Sequence, residues 1–488
     1  MVLPRGTYMS PSRLEKGYAG RAFGDGVHSG GRRDTPSREP EAVSRVLFGE
    51  WGRKAAGILE GFSLWVVYGA ILGCLLPLGM TAGWASVLLQ IAAFLAAGAL
   101  LVSRLMHGLP GIPDSPLAAP LAALVALCLA ATALSVQKTV SARAFVLLAA
   151  YICLYLIVLY HVRGQTELKR VAVVAASVGV FLGVFGLFKY AGVNPFSWWD
   201  YSGFSAEIRG RNFGTSDTRL ASTFRNADHF AAFLSMSLPL GLGVAMSLRT
   251  RLHRTLLSGG LLLTCGALIL TLSRGAWLAA LAALCFMIVY LSGGRTAGPN
   301  RSLKIAAGAL AAACLVGLTS WASVDRFETL YDVGGESSFT SRVQTWKDTA
   351  AMIADRPVFG HGPGTYALVF PRYQGPVRGG TFAEAHNEYL QFAAEAGLPV
   401  LAVIAWMLVV GGREAMRKRR HPGTWARNLT AGAATGLVAI TIHNVADFNL
   451  HVPANCVMLV VLAAILTRPT RHRERKPGAN QSSGRRLG

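Results

Sequence analysis

Arg274 lies in the segment Thr271-Leu-Ser-Arg-Gly-Ala-Trp-Leu278, between two apolar blocks where an uncharged turn would suffice. An arginine this close to hydrocarbon is costly unless its head reaches water or a partner. It reads either as an interfacial anchor beside Trp277 or as an anion-binding group facing a cavity. A second polar cluster holds Arg219, Arg225, Asn226, Asp228 and His229, just ahead of a helix expected to begin near Phe230. Planar guanidinium groups beside a helix amino terminus suit a phosphate. The plainer reading of that cluster is a solvated loop with Asp228 capping the helix.

Two further groups carry titratable side chains. The stretch 385–396 contains His386, Asn387, Glu388 and Glu395 and reads as a short helix stopped by Gly397. On an ideal helix His386 shares a face with Leu390, and Glu395 lies about 180° away from His386, so those two are not expected to pair. His443 and Asp447 stand four residues apart near the end of another apolar block. Their carboxylate could orient the imidazole at a polar cavity, or the two could form an interhelical hydrogen-bonded pair. The expected outer loops contain no Asp-x-Asp, and the chain has no H-E-x-x-H or H-x-x-E-H. Nucleotide-sugar transferases often neutralise a diphosphate leaving group with a carboxylate-held metal; in this chain arginines would have to do that.

The elements that position these groups are apolar. Of 488 residues, 52% are hydrophobic and 15% charged, and the mean hydropathy is +0.41. A soluble domain carries about a quarter charged residues. The apolar residues gather in about twelve blocks, each on the order of the 20 residues a bilayer core requires. This excludes a soluble enzyme, a secreted disulfide scaffold and a disordered chain. Transmembrane β-strands would instead alternate over segments of about 10 residues. The fold class expected is an all-α polytopic membrane protein with spans near 58–78, 84–103, 117–136, 143–161, 170–190, 229–248, 255–272, 273–291, 303–323, 397–411, 428–446 and 453–468. The seven cysteines all lie in apolar blocks and read as small buried hydrophobes.

The net charge of +22 comes from 47 Lys and Arg against 25 Asp and Glu. These cations flank the apolar blocks, which points to topology and membrane-lipid contact rather than nucleic acid. With the amino terminus in the cytoplasm, the basic connections 161–170, 249–254, 293–304 and 413–420 all fall inside, as does the tail from 468. The chain then divides into a disordered basic tail (1–55), nine spans with an outer loop at 191–228 (56–323), a large outer loop (324–396), three spans (397–468) and a basic tail (469–488). In the large loop, 339–355 reads as an amphipathic helix closed by Pro357, and 360–364 as a glycine turn. Loops of this length on a compact protein usually have a function.

The order of these motifs resembles the O-antigen ligase / O-antigen polymerase superfamily. The resemblance rests on Arg219 with Thr223-Phe-Arg-Asn226, then Leu272-Ser-Arg-Gly275, Arg342 with Trp346, Gly360-His-Gly-Pro-Gly-Thr-Tyr366, and His386-Asn-Glu-Tyr-Leu390 with Glu395-Ala-Gly397. It spans roughly 58–468. The resemblance implies a metal-independent glycosyltransferase of the bacterial inner membrane, active at the periplasmic face and needing no cofactor. Its donor would be a glycan on undecaprenyl diphosphate, and its acceptor lipid A–core or another lipid-linked repeat unit. It also implies that Arg219 and Arg274, with Arg225 nearby, bind the diphosphate. His386 would be essential, as base or orienting group for the acceptor hydroxyl, with His443, Asp447, Asn387 and Glu395 in support. At 221–228 the chain reads Ala-Ser-Thr-Phe-Arg-Asn-Ala-Asp, where the family more usually has Gly-Thr-Phe and Asn-Pro-Asn, so Arg219 aligns less firmly than Arg274. A twelve-span transporter or lipid flippase is the rival reading. Against it stand the lack of a repeat between the two halves and the helical outer loop.

Overall fold

The computed structural model describes residues 39–76, 83–108, 114–193, 219–224, 226–292, 338–375 and 382–469. The expected span at 303–323, Cys314, Arg225 and the terminal segments 1–38 and 470–488 lie outside these residues, whereas 39–55, expected as part of a disordered tail, is helical. Among the described residues every regular element is helical. They are α1 (Glu39–Gly73), α2 (Gly83–Met106), α3 (Ala118–Ala133), α4 (Lys138–His161), α5 (Gln165–Tyr190), α6 (Ala227–Ala245) and α7 (Arg251–Leu270). Then follow α8 (Arg274–Ser292), α9 (Ser338–Asp355), α10 (Tyr366–Val369), α11 (Glu388–Ala396), α12 (Pro399–Lys418), α13 (Thr424–His443) and α14 (Pro453–Thr467). Eight of these helices are long and apolar enough to cross a membrane, and α3 and α14 are shorter apolar helices. Helix α1 bends at Gly49, whose φ of 55° no helix accommodates.

Helix α6 is the centre of the bundle, buried along nearly its whole length between α5, α7, α8 and α13. Its closest neighbour is α13, and glycine makes that approach possible. A Cβ on Gly243 would stand 2.5 Å from the Asn428 carbonyl oxygen, and one on Gly432 would stand 2.5 Å from that of Pro239. Pro239 cannot donate a helix hydrogen bond. Small residues that let backbones touch are the usual means of holding helices together in lipid, where apolar burial gives little drive. The outer helices are less covered: most residues of α2, α7 and α12 are at least partly exposed, as surfaces facing lipid are.

Between α8 and α12 the chain builds a small helical unit on one end of the bundle. Met352, Ile353, Tyr366, Val369, Phe370, Ala385, Ala393 and Ala394 form its core. Thr349 and Tyr366 share a 2.7 Å hydroxyl hydrogen bond, and the Trp346 indole donates to the Ala385 carbonyl at 3.1 Å. The Gly360–Gly364 turn fastens this unit to the bundle. Gly362 takes φ 112°, donates to the Glu395 carbonyl at 2.8 Å, and lies where a Cβ would meet the Ser135 hydroxyl.

Candidate active site

The Arg219, Arg274, His386 and His443 motifs, far apart in sequence, converge at this end of the bundle. The loop before α6 pairs with the α7–α8 turn through Leu220 N–H to the Leu270 carbonyl (3.0 Å) and Arg219 Nε to the Thr271 carbonyl (2.8 Å). Arg274 is the first residue of α8, a 19-residue helix with no acid in its first turn, so its guanidinium adds to the positive end of the helix dipole. The following Gly275 lies against α13: a Cβ there would stand 3.2 Å from His443 Cδ2. Arg342 of α9 crosses to the Ala446 carbonyl at 2.9 Å, and Glu388 N–H donates to the Asn444 carbonyl at 3.0 Å. Phe448 stands edge-on to His229 and to His386, with ring centres 4.6 and 4.9 Å away.

Backbone strain marks the same place. Among the described residues, the non-glycine residues with positive φ are Ser222 (53°), Leu272 (52°) and His386 (49°). Each lies in one of the motifs. A left-handed leucine is unusual, since its side chain gains nothing from that conformation. Such residues persist only where the surroundings hold them, and they gather at functional sites.

Several expectations are corrected by the structure. Helix α6 starts at Ala227, and its cap is Asn226, whose side chain accepts from Asp228 N–H at 2.7 Å. Asp228 instead forms an ion pair with Arg219, and both are mostly buried. Arg219 is therefore already charge-compensated and ties two loops together. His386 is not on a helix: α11 begins at Glu388, and Asn387 caps it by accepting from Tyr389 and Leu390 N–H at 3.0 and 3.1 Å. Extending the helix period back to His386 fails because the cap residue breaks the period. Trp277 is 2% exposed and donates to the Leu268 carbonyl at 3.1 Å, so it is a core residue and not an interfacial partner for Arg274.

Glu395 is buried and its carboxylate is taken up by the glycine turn. It accepts from Gly364 N–H (2.8 Å) and Tyr366 N–H (3.2 Å) and so braces the glycine turn. Burial pushes its carboxyl up to about 7, against the pull of His451 and those two N–H groups. His443 Nε2 and Asp447 Oδ2 are 3.8 Å apart, an ion-pair distance and not a hydrogen bond. Asp447 Oδ1 accepts from Phe448 N–H at 2.9 Å. Its Oδ2, His443 Nδ1 and His386 Nδ1 are buried with no hydrogen-bond partner. Burial, then the Arg342 guanidinium, pulls the His386 imidazole below its usual value, so it is neutral at neutral pH and able to accept a proton.

Sequence reasoning gave no role to Arg342 or to the polar network behind Phe448. His229 Nδ1 meets Asn449 Oδ1 at 3.1 Å, and Asn449 Nδ2 donates to Asn444 Oδ1 at 3.0 Å. His451 lies 3.3 Å from Glu388 and 3.7 Å from Glu384. Burial pulls its imidazole down, but Glu388, Glu384 and Glu395 outweigh this and raise it to about 10. The asparagines and histidines at 443–455 were visible as a polar run ahead of the last span, but nothing in their spacing pointed at α6. Among the described residues no group of three or more His, Cys, Asp or Glu side chains is arranged to hold a metal ion.

The site thus joins an arginine at a helix start, a second arginine from the loop unit, and a neutral histidine with an unpartnered nitrogen. That combination can hold an oxyanion while a neighbouring hydroxyl is deprotonated. Residues 259–405 match the family model described as O-antigen ligase. The matched stretch contains Arg274, Arg342, His386 and Glu395, while Arg219, His443 and Asp447 lie outside it. No curated protein matches the chain. This match over residues 259–405, with eight membrane-length helices among the described residues, supports the O-antigen ligase/polymerase superfamily.

Proposed function

We propose that the protein is a membrane glycosyltransferase that moves a glycan from undecaprenyl diphosphate to a hydroxyl of lipid A–core or of another lipid-linked glycan. The work is done at the periplasmic face of the bacterial inner membrane. The family match supports ligase or polymerase activity in general. The observation that supports the finer reading is that the Arg274 segment, through Gly275 against His443, and the His386 segment, through Glu388 N–H to the Asn444 carbonyl, reach the same end of α13, with His386 Nδ1 buried and unpartnered.

The reaction is a direct displacement. The acceptor oxygen attacks the anomeric carbon, and the bond from that carbon to the diphosphate oxygen breaks. The diphosphate leaves with the bonding pair, and Arg274, the α8 amino terminus and Arg342 stabilise its charge. His386 takes the acceptor proton or fixes the hydroxyl's direction. Arg219, held by Asp228 and Thr271, acts as a positioning residue for the loop that faces the diphosphate; Arg225 is assigned to the same group. His443 and Asp447 shape the wall behind Gly275, while Asn387 and Glu395 fix the segment that carries His386.

Charge neutralisation by arginine makes a divalent metal unnecessary in this scheme. Purified full-length protein given lipid-linked glycan and acceptor should transfer the glycan in excess EDTA. Transfer that stops with EDTA and returns with Mg²⁺ or Mn²⁺ would overturn the arginine-based mechanism. A transporter would move the lipid-linked glycan across vesicles without forming a new glycosidic bond.

A further inference from the structure

At the end of the bundle away from Arg274 and His386, a cleft of about 570 Å³ opens between the starts of α5 and α13 and the α6–α7 connection. Lys169, Arg249, Arg254 and His421 line it, and no aspartate or glutamate does. Glu167, in the first turn of α5, is engaged elsewhere, with Arg170 and with the Tyr68 hydroxyl, both at 2.8 Å. Lys169 lies over the Trp425 ring at 5.4 Å, and Arg254 donates to the Leu248 carbonyl at 3.0 Å. These interactions hold Lys169 and Arg254 around the cleft without neutralising them.

Like charges around one concavity repel unless an anion joins them. The helices that start here add to the same field. The caps of α5, α7 and α13 are Gly164, Thr250 and Gly423, and none supplies a side-chain hydrogen bond to its helix. Their first-turn N–H groups keep their capacity for an outside acceptor.

We propose that this cleft binds a phosphate-bearing anion, which in the membrane is the headgroup of an anionic phospholipid. Two features favour lipid over a soluble phosphate. The first two turns of α7 leave Leu252 and Leu256 each 64% exposed beside Arg254, a surface for acyl chains. Trp425, with an apolar body and a polar edge, suits the depth of a headgroup. Topology alone asks only for cations outside the spans; it does not ask for an acid-free cleft.

The test uses full-length protein in a neutral detergent. Native mass spectrometry reads retention of phosphatidylglycerol against phosphatidylcholine, and thermal unfolding reads the effect of inorganic phosphate. Wild type should hold phosphatidylglycerol in preference. Lys169→Gln with Arg249→Gln should weaken it about 10-fold or more, because removing a charged hydrogen-bond donor from a phosphate costs on the order of that factor. The charge-conserving pair Lys169→Arg with Arg249→Lys should keep binding, which separates the effect of charge from that of misfolding. Stabilisation by phosphate alone, abolished in the Gln pair and with no preference among lipids, would keep the phosphate chemistry and overturn the lipid assignment. Equal binding of both probes by wild type and the Gln pair would overturn the proposal. No residue of this cleft belongs to the transferase site, so either result leaves that reading standing.

Discussion

The two ends of the helix bundle treat the same local rules differently. At the arginine–histidine end, α6 and α11 begin on asparagines whose side chains cap them, yet Ser222, Leu272 and His386 are held in the left-handed region. Nitrogens of His386 and His443 and an oxygen of Asp447 are buried there without partners. At the other end no described non-glycine residue takes a positive φ, the helix starts of α5, α7 and α13 lack side-chain caps, and cations gather in a cleft. Strain and unsatisfied buried atoms are a cost that packing elsewhere must offset, and they mark atoms kept ready for a substrate. Uncapped starts beside gathered cations cost less and mark a place that an anion can complete.

Changes at the strained end should dominate the chemistry. His386→Ala should lower single-turnover transfer by about 10²–10⁴-fold, the usual worth of a positioned acid–base group, without lowering protein level. Arg274→Ala should weaken donor binding by about 10–150-fold, and Arg274→Lys should rescue only in part, because an ammonium lacks the planar fork. If the two ends are independent, neither change will alter phospholipid retention at the basic cleft.

A change in the middle of the bundle should act on both ends through stability. Gly243→Leu puts a branched side chain where even a Cβ would be 2.5 Å from the Asn428 carbonyl oxygen. It should destabilise the protein by about 1–3 kcal/mol or more, read as a lower unfolding temperature in detergent. Val409→Ala on α12, whose side chain is 50% exposed, should leave that temperature nearly unchanged.

The smallest effect is a pH slope. Burial raises Glu395 to about 7 from an ordinary 4.5, so the folded protein holds this proton more tightly than the unfolded chain. Its contribution to stability is fully present below pH 4.5 and is lost as pH rises through about 7. Glu395→Gln should flatten the pH dependence of the unfolding temperature over that window while keeping one acceptor for the Gly364 or Tyr366 N–H. A slope unchanged by the substitution would show that the carboxyl titrates normally.

Much of the architecture was legible because it follows from local composition. Apolar blocks of bilayer length became α2, α4, α5, α8 and α12, and Gly397 ends α11 with φ 83° as a glycine stop should. The turn at 271–273 was legible from Arg274 alone, since a charge between two apolar runs marks a boundary. The candidate site was legible as separate motifs but not as a geometry. Helical periodicity carried His386 onto a helix that Asn387 in fact begins, and Asp228 read as a cap because nothing local showed Arg219 beside it. Arg342, Phe448 and His451 gain their meaning from neighbours about 60–100 or more residues away along the chain, which no spacing rule reaches.

The central claim is that Arg274 serves the donor and His386 the acceptor. The most direct measurement is the affinity of purified, normally folded His386→Ala for the undecaprenyl-diphosphate-linked glycan, taken beside its single-turnover transfer rate. Donor affinity should stay within about 2-fold of wild type, under about 0.5 kcal/mol, while single-turnover transfer falls by about 10²–10⁴-fold. A His386→Ala protein that loses donor affinity as steeply as Arg274→Ala, or that still transfers at near the wild-type rate, would contradict the assignment.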